Sequence, residues 1–156
     1  MLKLMTIDAS GGNRAAHQPK TNPIANWMNN LVVGRIRHKG GFMGMTVLVV
    51  NTVGKNTGRQ RSTPVAWFPG EDGTWLIVAS DGGSPRNPAW FHNIAANPDA
   101  VSIDVDRARV AVVATELRGT ERESAWASIT TASPSFKRYA RKTDRLIPVL
   151  HLARRK

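Results

Sequence analysis

The 156 residues include no cysteine, which excludes disulfides, thiolate metal sites and cysteine nucleophiles. Histidine is scarce, and His17, His38, His92 and His151 never fall at a metal-ligand spacing such as His-x-x-x-His, so no metal site is expected. Acidic side chains number 11 against 22 lysines and arginines, and no pair of carboxylates marks a general acid/base site. There is one tyrosine, Tyr139. No stretch approaches the ~20 apolar residues of a membrane-crossing helix, and Met1–Lys20 holds no apolar run of signal-peptide length. A cytoplasmic protein is therefore the expectation. So small a set of acid and base groups suits chemistry carried by a bound cofactor.

What is present in excess is positive charge, a formal +11. Nucleic acid, an anionic membrane surface, an anionic small ligand or plain solvation each accounts for such an excess. Position separates these options. Lys55, Arg59 and Arg61 share one central loop, whereas Arg154, Arg155 and Lys156 read as a solvated tail. No zinc-finger spacing, basic heptad or aromatic RNA-binding signature accompanies the charge, so no specific nucleic-acid partner is expected.

Residues 1–22 are polar and read as a disordered segment, leaving residues 23–156 as a single domain. From Pro23 to Arg37, Ile24, Trp27, Met28, Leu31 and Val32 recur at helical spacing, with Arg35, Arg37 and Lys39 at the end. Such a stripe either packs on the domain core or makes peripheral contact with the inner face of the cell membrane. Strands are expected over Thr46–Val53, Ser62–Phe68, Thr74–Ser80, Ala100–Val105, Val110–Leu117 and Leu146–Leu152. Helices are expected over Pro88–Ala96 with Asn87 as N-cap, from a Thr120/Glu123 capping box through Thr131, and from near Pro134 through Phe136 and Tyr139. Consecutive hairpins argue against repeated βαβ units. The expected fold is mainly β with flanking helices (α+β), an antiparallel sheet closed into a barrel.

Two glycine-rich turns carry the functional signal. The first is Val53-Gly54-Lys55-Asn56-Thr57-Gly58-Arg59-Gln60-Arg61-Ser62-Thr63-Pro64, between two strands. Glycine permits close approach of backbone to ligand, successive N–H groups form anion-binding concavities, and the cations add charge-assisted bonds. The second, Ala79-Ser80-Asp81-Gly82-Gly83, follows a very apolar strand at a barrel mouth, where ligands commonly bind. Both also have a plain reading as hairpin turns, and Trp90, Phe91 and His92 one as packing residues.

These two segments resemble the deazaflavin (coenzyme F420)-dependent nitroreductase and quinone reductase family. So do Asn87-Pro88-Ala89-Trp90-Phe91-His92-Asn93-Ile94-Ala95-Ala96-Asn97-Pro98, the run Pro134-Ser135-Phe136 to Tyr139, and Thr143-Asp144-Arg145-Leu146-Ile147-Pro148. The likeness covers roughly residues 23–152. It implies a split β-barrel and an oxidoreductase that passes hydride from reduced coenzyme F420 to quinones, α,β-unsaturated carbonyl compounds or nitro compounds. By resemblance, the phosphodiester and glutamyl tail fall to Lys55, Asn56, Thr57, Gly58, Arg59, Gln60 and Arg61. The ring falls to Ala79, Ser80, Asp81, Gly82 and Gly83, with Val50, Asn51, Pro64 and Trp90 completing the cofactor set. Ser80 and Tyr139 are the expected catalytic residues, and Ser133, Phe136 and Tyr139 the expected substrate contacts.

The chain departs from the family pattern in three places. Asn56 follows Lys55 where a second basic residue is common, Asp81 stands where lysine occurs, and Ser133 and Phe136 replace tyrosines of nitroimidazole-reducing members. A phenol donates a hydrogen bond and phenylalanine cannot, so quinones and enones are favoured over bulky nitroimidazoles. Two rivals remain at this level: a flavin mononucleotide (FMN) reductase on the same barrel, and a non-catalytic carrier of a deazaflavin or lipophilic ligand. Oligomeric state is not legible.

Overall fold

The computed structural model describes residue 33, residues 41–42 and residues 45–156. The expected disordered segment over residues 1–22 and, apart from Val33, the helix over residues 23–37 lie outside the described residues.

Among the described residues there are seven strands and three α-helices, besides Val33, which is helical. The strands are β1 (Gly41–Phe42), β2 (Met45–Val53), β3 (Gln60–Pro69), β4 (Trp75–Val78), β5 (Ser102–Val105), β6 (Ala108–Glu116) and β7 (Val149–Arg154). The helices are α1 (Ala89–Ala96), α2 (Gly119–Ala132) and α3 (Ser135–Arg141). Every pairing is antiparallel, in the order β1-β2-β3-β4-β7-β6-β5. A further ladder, Val49↔Asp104 through Asn51↔Ser102, joins β5 back to β2 and closes a six-stranded barrel. Closure removes the sheet edges, so β2 through β7 pair on both sides.

The period-two alternation of β2 sends Leu48 and Val50 into the barrel, where they meet Ile77, Ile103, Val112, Leu150 and Leu152. Trp90, Phe91 and Ile94 of α1 plug this interior. The opposite face of β4 and β7, Leu76, Val78 and Val149, packs against Ile129 of α2, Phe136 of α3 and Ile147. Covered on both faces, β4 is apolar throughout. Arg122 pins α2 to the barrel by donating from Nη2 to the Ile147 carbonyl at 2.8 Å.

Several local expectations are corrected. Asn87 does not cap α1; the N-cap position is Pro88, and no side chain caps it. The capping box is also absent: Arg118 occupies the N-cap of α2, Thr120 lies inside the helix, and Glu123 pairs with Arg122 at 3.0 Å. The basic end of the chain is not merely solvated. Arg154 lies 5.5 Å over the Trp75 ring, and Arg155 bonds Asp99, the Pro98 carbonyl and the Val112 carbonyl. The closing strand is Val149–Arg154 rather than Leu146–Leu152; just before it the Ile147 carbonyl accepts from Arg122 and the Pro148 carbonyl from the Ala79 N–H.

Candidate functional site

The β2–β3 hairpin loop is closed from within. The Gly54 N–H donates to the Arg59 carbonyl at 2.7 Å, the Gly58 N–H returns to Gly54 at 2.9 Å, and Gly58 adopts φ +66°, which favours glycine. From outside, Asn93 of α1 accepts the Lys55 N–H at Oδ1 (2.9 Å) and offers Nδ2 to Thr52 Oγ1 at 3.3 Å. Lys55 and Arg59 on this loop, and Arg61 at the start of β3, are exposed, and none makes an ion pair among the described residues. Their charge is thus uncommitted. His92 stands beside them with an imidazole pulled below its ordinary value, first by burial and then by the Lys55 charge.

At the end of β4 the chain leaves the sheet and makes a tight turn. Asp81, Gly82 and Gly83 take successive left-handed conformations (φ 44°, 62° and 87°), closed by Gly83 N–H to Ser80 O at 2.9 Å and Ser84 N–H to Asp81 O at 3.0 Å. Ser80 precedes them in right-handed helical conformation, so Ser80 and Asp81 have the alternating handedness of an N–H nest. The N–H groups of Ser80, Asp81 and Gly82 have no main-chain or side-chain acceptor among the described residues. They remain free for a ligand.

Between this turn, β3 and α3 opens a cleft of about 880 Å³. One wall is the outer stretch of β3 from Thr63 to Pro69; Trp90 and Pro88 stand at the start of α1, and Ser133, Phe136 and Tyr139 form the far side. Phe136 is held edge-on between Phe68 (5.6 Å) and Tyr139 (5.5 Å). Ser133 Oγ lies 3.1 Å from Ser135 Oγ. Lys142 approaches the Tyr139 ring at 5.9 Å, and neither the Tyr139 phenol nor the Ser80 hydroxyl has a partner among the described residues.

The structure therefore gathers Pro64, Ser80, Asp81, Gly82, Trp90, Ser133, Phe136 and Tyr139 around one cleft. Gln60 and Arg61 precede Thr63 on β3 and Lys55 through Arg59 lie on the loop before them, so these residues adjoin the cleft along the chain rather than line it. Val50 is fully buried in the barrel interior, and Asn51 accepts from Ser62 Oγ at 2.7 Å. Ala79 is buried beneath the turn, and Gly83 faces the α3 backbone. Two structural anchors escaped sequence reasoning, Asn93 and Arg145. Arg145 donates to Ser84 O, Asn87 Oδ1, Ala79 O and Ser80 O at 2.7–3.1 Å. Burial pulls its guanidinium below the ordinary value while Asp81 pulls the other way. The available signal was the need of a glycine-rich turn's carbonyls for donors.

The residues suit a long, planar, polyanionic group: a mostly apolar cleft walled in part by a turn whose N–H groups are unpaired among the described residues, with three cations on the adjoining hairpin. A closed antiparallel barrel with such a cleft on its flank belongs to the class of folds that can hold a planar ring ligand. Its family is specific. The family model described as F420H(2)-dependent quinone reductase matches residues 23–153, and the chain belongs to that family. It is thus an F420H2-dependent oxidoreductase acting on a small-molecule acceptor, and coenzyme F420 is its cofactor. An F420H(2)-dependent quinone reductase of Mycobacterium tuberculosis is 37% identical over 111 residues, covering 69% of this chain and 73% of that protein.

Among solved structures, an F420-H2 dependent reductase (FDR-A) aligns with TM-score 0.61 and 37% identity, over 69% of this chain and 93% of that one. A chain described as a domain-swapped dimer aligns with TM-score 0.63 and 32% identity, over 83% and 99%. Campylobacter jejuni ChuZ, at 12% identity and TM-score 0.53 over 88% and 55%, shares the fold alone.

Proposed function

We propose that the chain reduces quinones and α,β-unsaturated carbonyl compounds by two electrons, with hydride from reduced F420 and a proton from solvent. The observation that carries this reading is the single cleft that joins the free N–H turn, the aromatic wall of α3 and, at its border, the cationic hairpin. Lys55, Arg59 and Arg61 hold the anionic tail by charge-assisted bonds. The N–H groups of Ser80, Asp81 and Gly82 meet ring or acceptor oxygens, and the missing Cβ of Gly82 allows close approach. Reduced F420, when bound, supplies the hydride.

The protein's own contribution is proximity and exclusion of water. Phe136 and Trp90 are buried cleft walls that would hold coenzyme and acceptor close together. Tyr139 and Ser80 offer hydroxyl donors to the acceptor oxygen, where negative charge develops. The acceptor would gain a hydride and a proton, a two-electron reduction.

Asp81 adds negative charge beside the cleft, which supports a preference for neutral acceptors over anionic ones. Val33 is buried against Val47 and Val49 on the outside of the barrel, which supports packing of this side chain on protein rather than lipid. No helix among the described residues is long and apolar enough to cross a membrane.

The test is a fluorescence titration of the pure protein with oxidised F420 and with flavin mononucleotide, followed by assays of F420H2 oxidation. Tighter binding of F420 and turnover of menadione are expected. Equal affinity for both coenzymes, or turnover of a bicyclic nitroimidazole as fast as menadione, would contradict the reading.

A further inference from the structure

Two of the four oxygens that Arg145 holds are successive main-chain carbonyls, Ala79 O at 3.1 Å and Ser80 O at 2.9 Å from the same Nη2. No peptide bond in the described residues is cis. In a planar trans peptide the N–H points opposite to the carbonyl of the same unit. The Ala79 carbonyl shares its peptide with the Ser80 N–H, and the Ser80 carbonyl shares its own with the Asp81 N–H. A guanidinium that grips both oxygens therefore turns both N–H groups away from itself. Ser80 and Asp81 line the cleft, and neither N–H has another partner among the described residues.

We infer that Arg145 is a positioning residue that fixes the Ser80 and Asp81 N–H groups as a donor pair for a carbonyl oxygen of the molecule in the cleft. The pair needs such support. Asp81 holds a left-handed conformation that costs a residue with a Cβ, and the turn's two internal bonds close it without orienting it. Arg145 supplies orientation from outside. Its Nη1 reaches Asn87 Oδ1 at 2.7 Å, just before α1, and its Nε reaches Ser84 O at 2.9 Å. One planar fork thus ties both ends of the loop to the segment that follows α3. Lysine offers three donors on one atom and cannot span these oxygens.

This inference rests on the functional reading above, and its test keeps the two apart. Arg145→Ala, Arg145→Lys and Asn87→Ala are compared with the wild type by hydrogen exchange of the 79–87 peptide, which needs no coenzyme. The affinity for oxidised F420 and the acceptor KM and kcat are then measured. Faster exchange confined to this peptide is expected in both Arg145 variants, and a smaller increase in Asn87→Ala. With it, either coenzyme affinity or acceptor kcat/KM falls about tenfold, the equivalent of one charged hydrogen bond. A drop in the first places the oxygen on the coenzyme; a drop only in the second places it on the acceptor.

Added guanidinium ion should recover part of the loss in Arg145→Ala, while Arg145→Lys stays impaired. Unchanged exchange, or affinity and kcat/KM both within about twofold of wild type in a folded variant, overturns the inference. So does full function in Arg145→Lys. Should Arg145→Ala fail to fold, Arg145→Lys and Asn87→Ala decide by the same criteria. A wild type that ignores F420 while the exchange pattern holds would refute the functional reading and leave the positioning role standing.

Discussion

Gly83 and Tyr139 are in backbone contact: a Cβ on Gly83 would lie 2.7 Å from the Tyr139 carbonyl oxygen and 3.1 Å from its Cα. The turn that carries the free N–H groups is thus seated directly on the helix that carries the phenol, and the two sides of the cleft are set by one contact. Gly83 also has φ 87°, which penalises any side chain. Gly83→Ala should therefore destabilise the fold by roughly 1–3 kcal/mol and widen the cleft. Denaturant unfolding measures the first effect. A midpoint unchanged from wild type would show that the turn and α3 move apart freely.

The uncommitted cations of the hairpin predict salt sensitivity. Coenzyme F420 affinity should fall steadily between about 0.05 and about 0.5 M salt, because exposed charges are screened. Arg61→Ala should weaken binding by about 1 kcal/mol at low salt and flatten that dependence. Fluorescence titration reads both slopes. Parallel slopes in mutant and wild type would remove Arg61 from the tail site.

Phe136 predicts acceptor preference. Its ring is buried and edge-packed on Phe68 and Tyr139, yet it lines the cleft. Phe136→Tyr adds a phenol beside Tyr139, so turnover of a bicyclic nitroimidazole should rise more than turnover of menadione. The new hydroxyl must find a partner or cost about 1 kcal/mol or more in stability. Steady-state assays of both substrates check the ratio, and a fall in nitroimidazole turnover would count against α3 as the selecting wall.

His92 predicts a pH effect with a definite sign. Burial and the Lys55 charge lower its pKa in the folded protein, so the folded state binds protons less readily than the unfolded chain. The associated stability is present above the ordinary imidazole value of about 6.5 and is lost as pH falls below it through the lowered folded value. His92→Gln should lose less stability than wild type between pH 8 and 5, scales set by that imidazole range. Urea midpoints across this range provide the comparison, and identical pH profiles would exclude a contribution from His92.

Much of the barrel is legible because its strands obey a local rule. β2 alternates valines and leucine between two covered faces, and the hairpin loop announces itself by glycine and charge. The family motifs likewise lie in continuous runs, so Ser80, Asp81, Gly82, Phe136 and Tyr139 were identifiable before any coordinates and now surround one cleft. Where reading failed, a distant partner had intervened. Asn87 has the composition of a helix cap, but its oxygen accepts from Arg145, 58 residues later. Strand β4 stops at Val78 although the expected strand runs through Ser80, because the Ala79 N–H turns to the Pro148 carbonyl and the Ala79 and Ser80 carbonyls turn to Arg145.

By itself, the sequence determined the absence of thiol chemistry, the antiparallel pairing of strands and a glycine-rich hairpin bearing cations, and its resemblance to a family implied the kind of cofactor. These follow from composition, two-residue periodicity and contiguous motifs, all of which act over short stretches of chain. Tertiary structure alone decided how the site is held. Arg145 takes up the Ala79 and Ser80 carbonyls, the bare Cα of Gly83 seats Tyr139, and Asn93 holds the basic loop. Each of these contacts joins residues 38 to 66 positions apart, and only closure of the barrel brings them within reach.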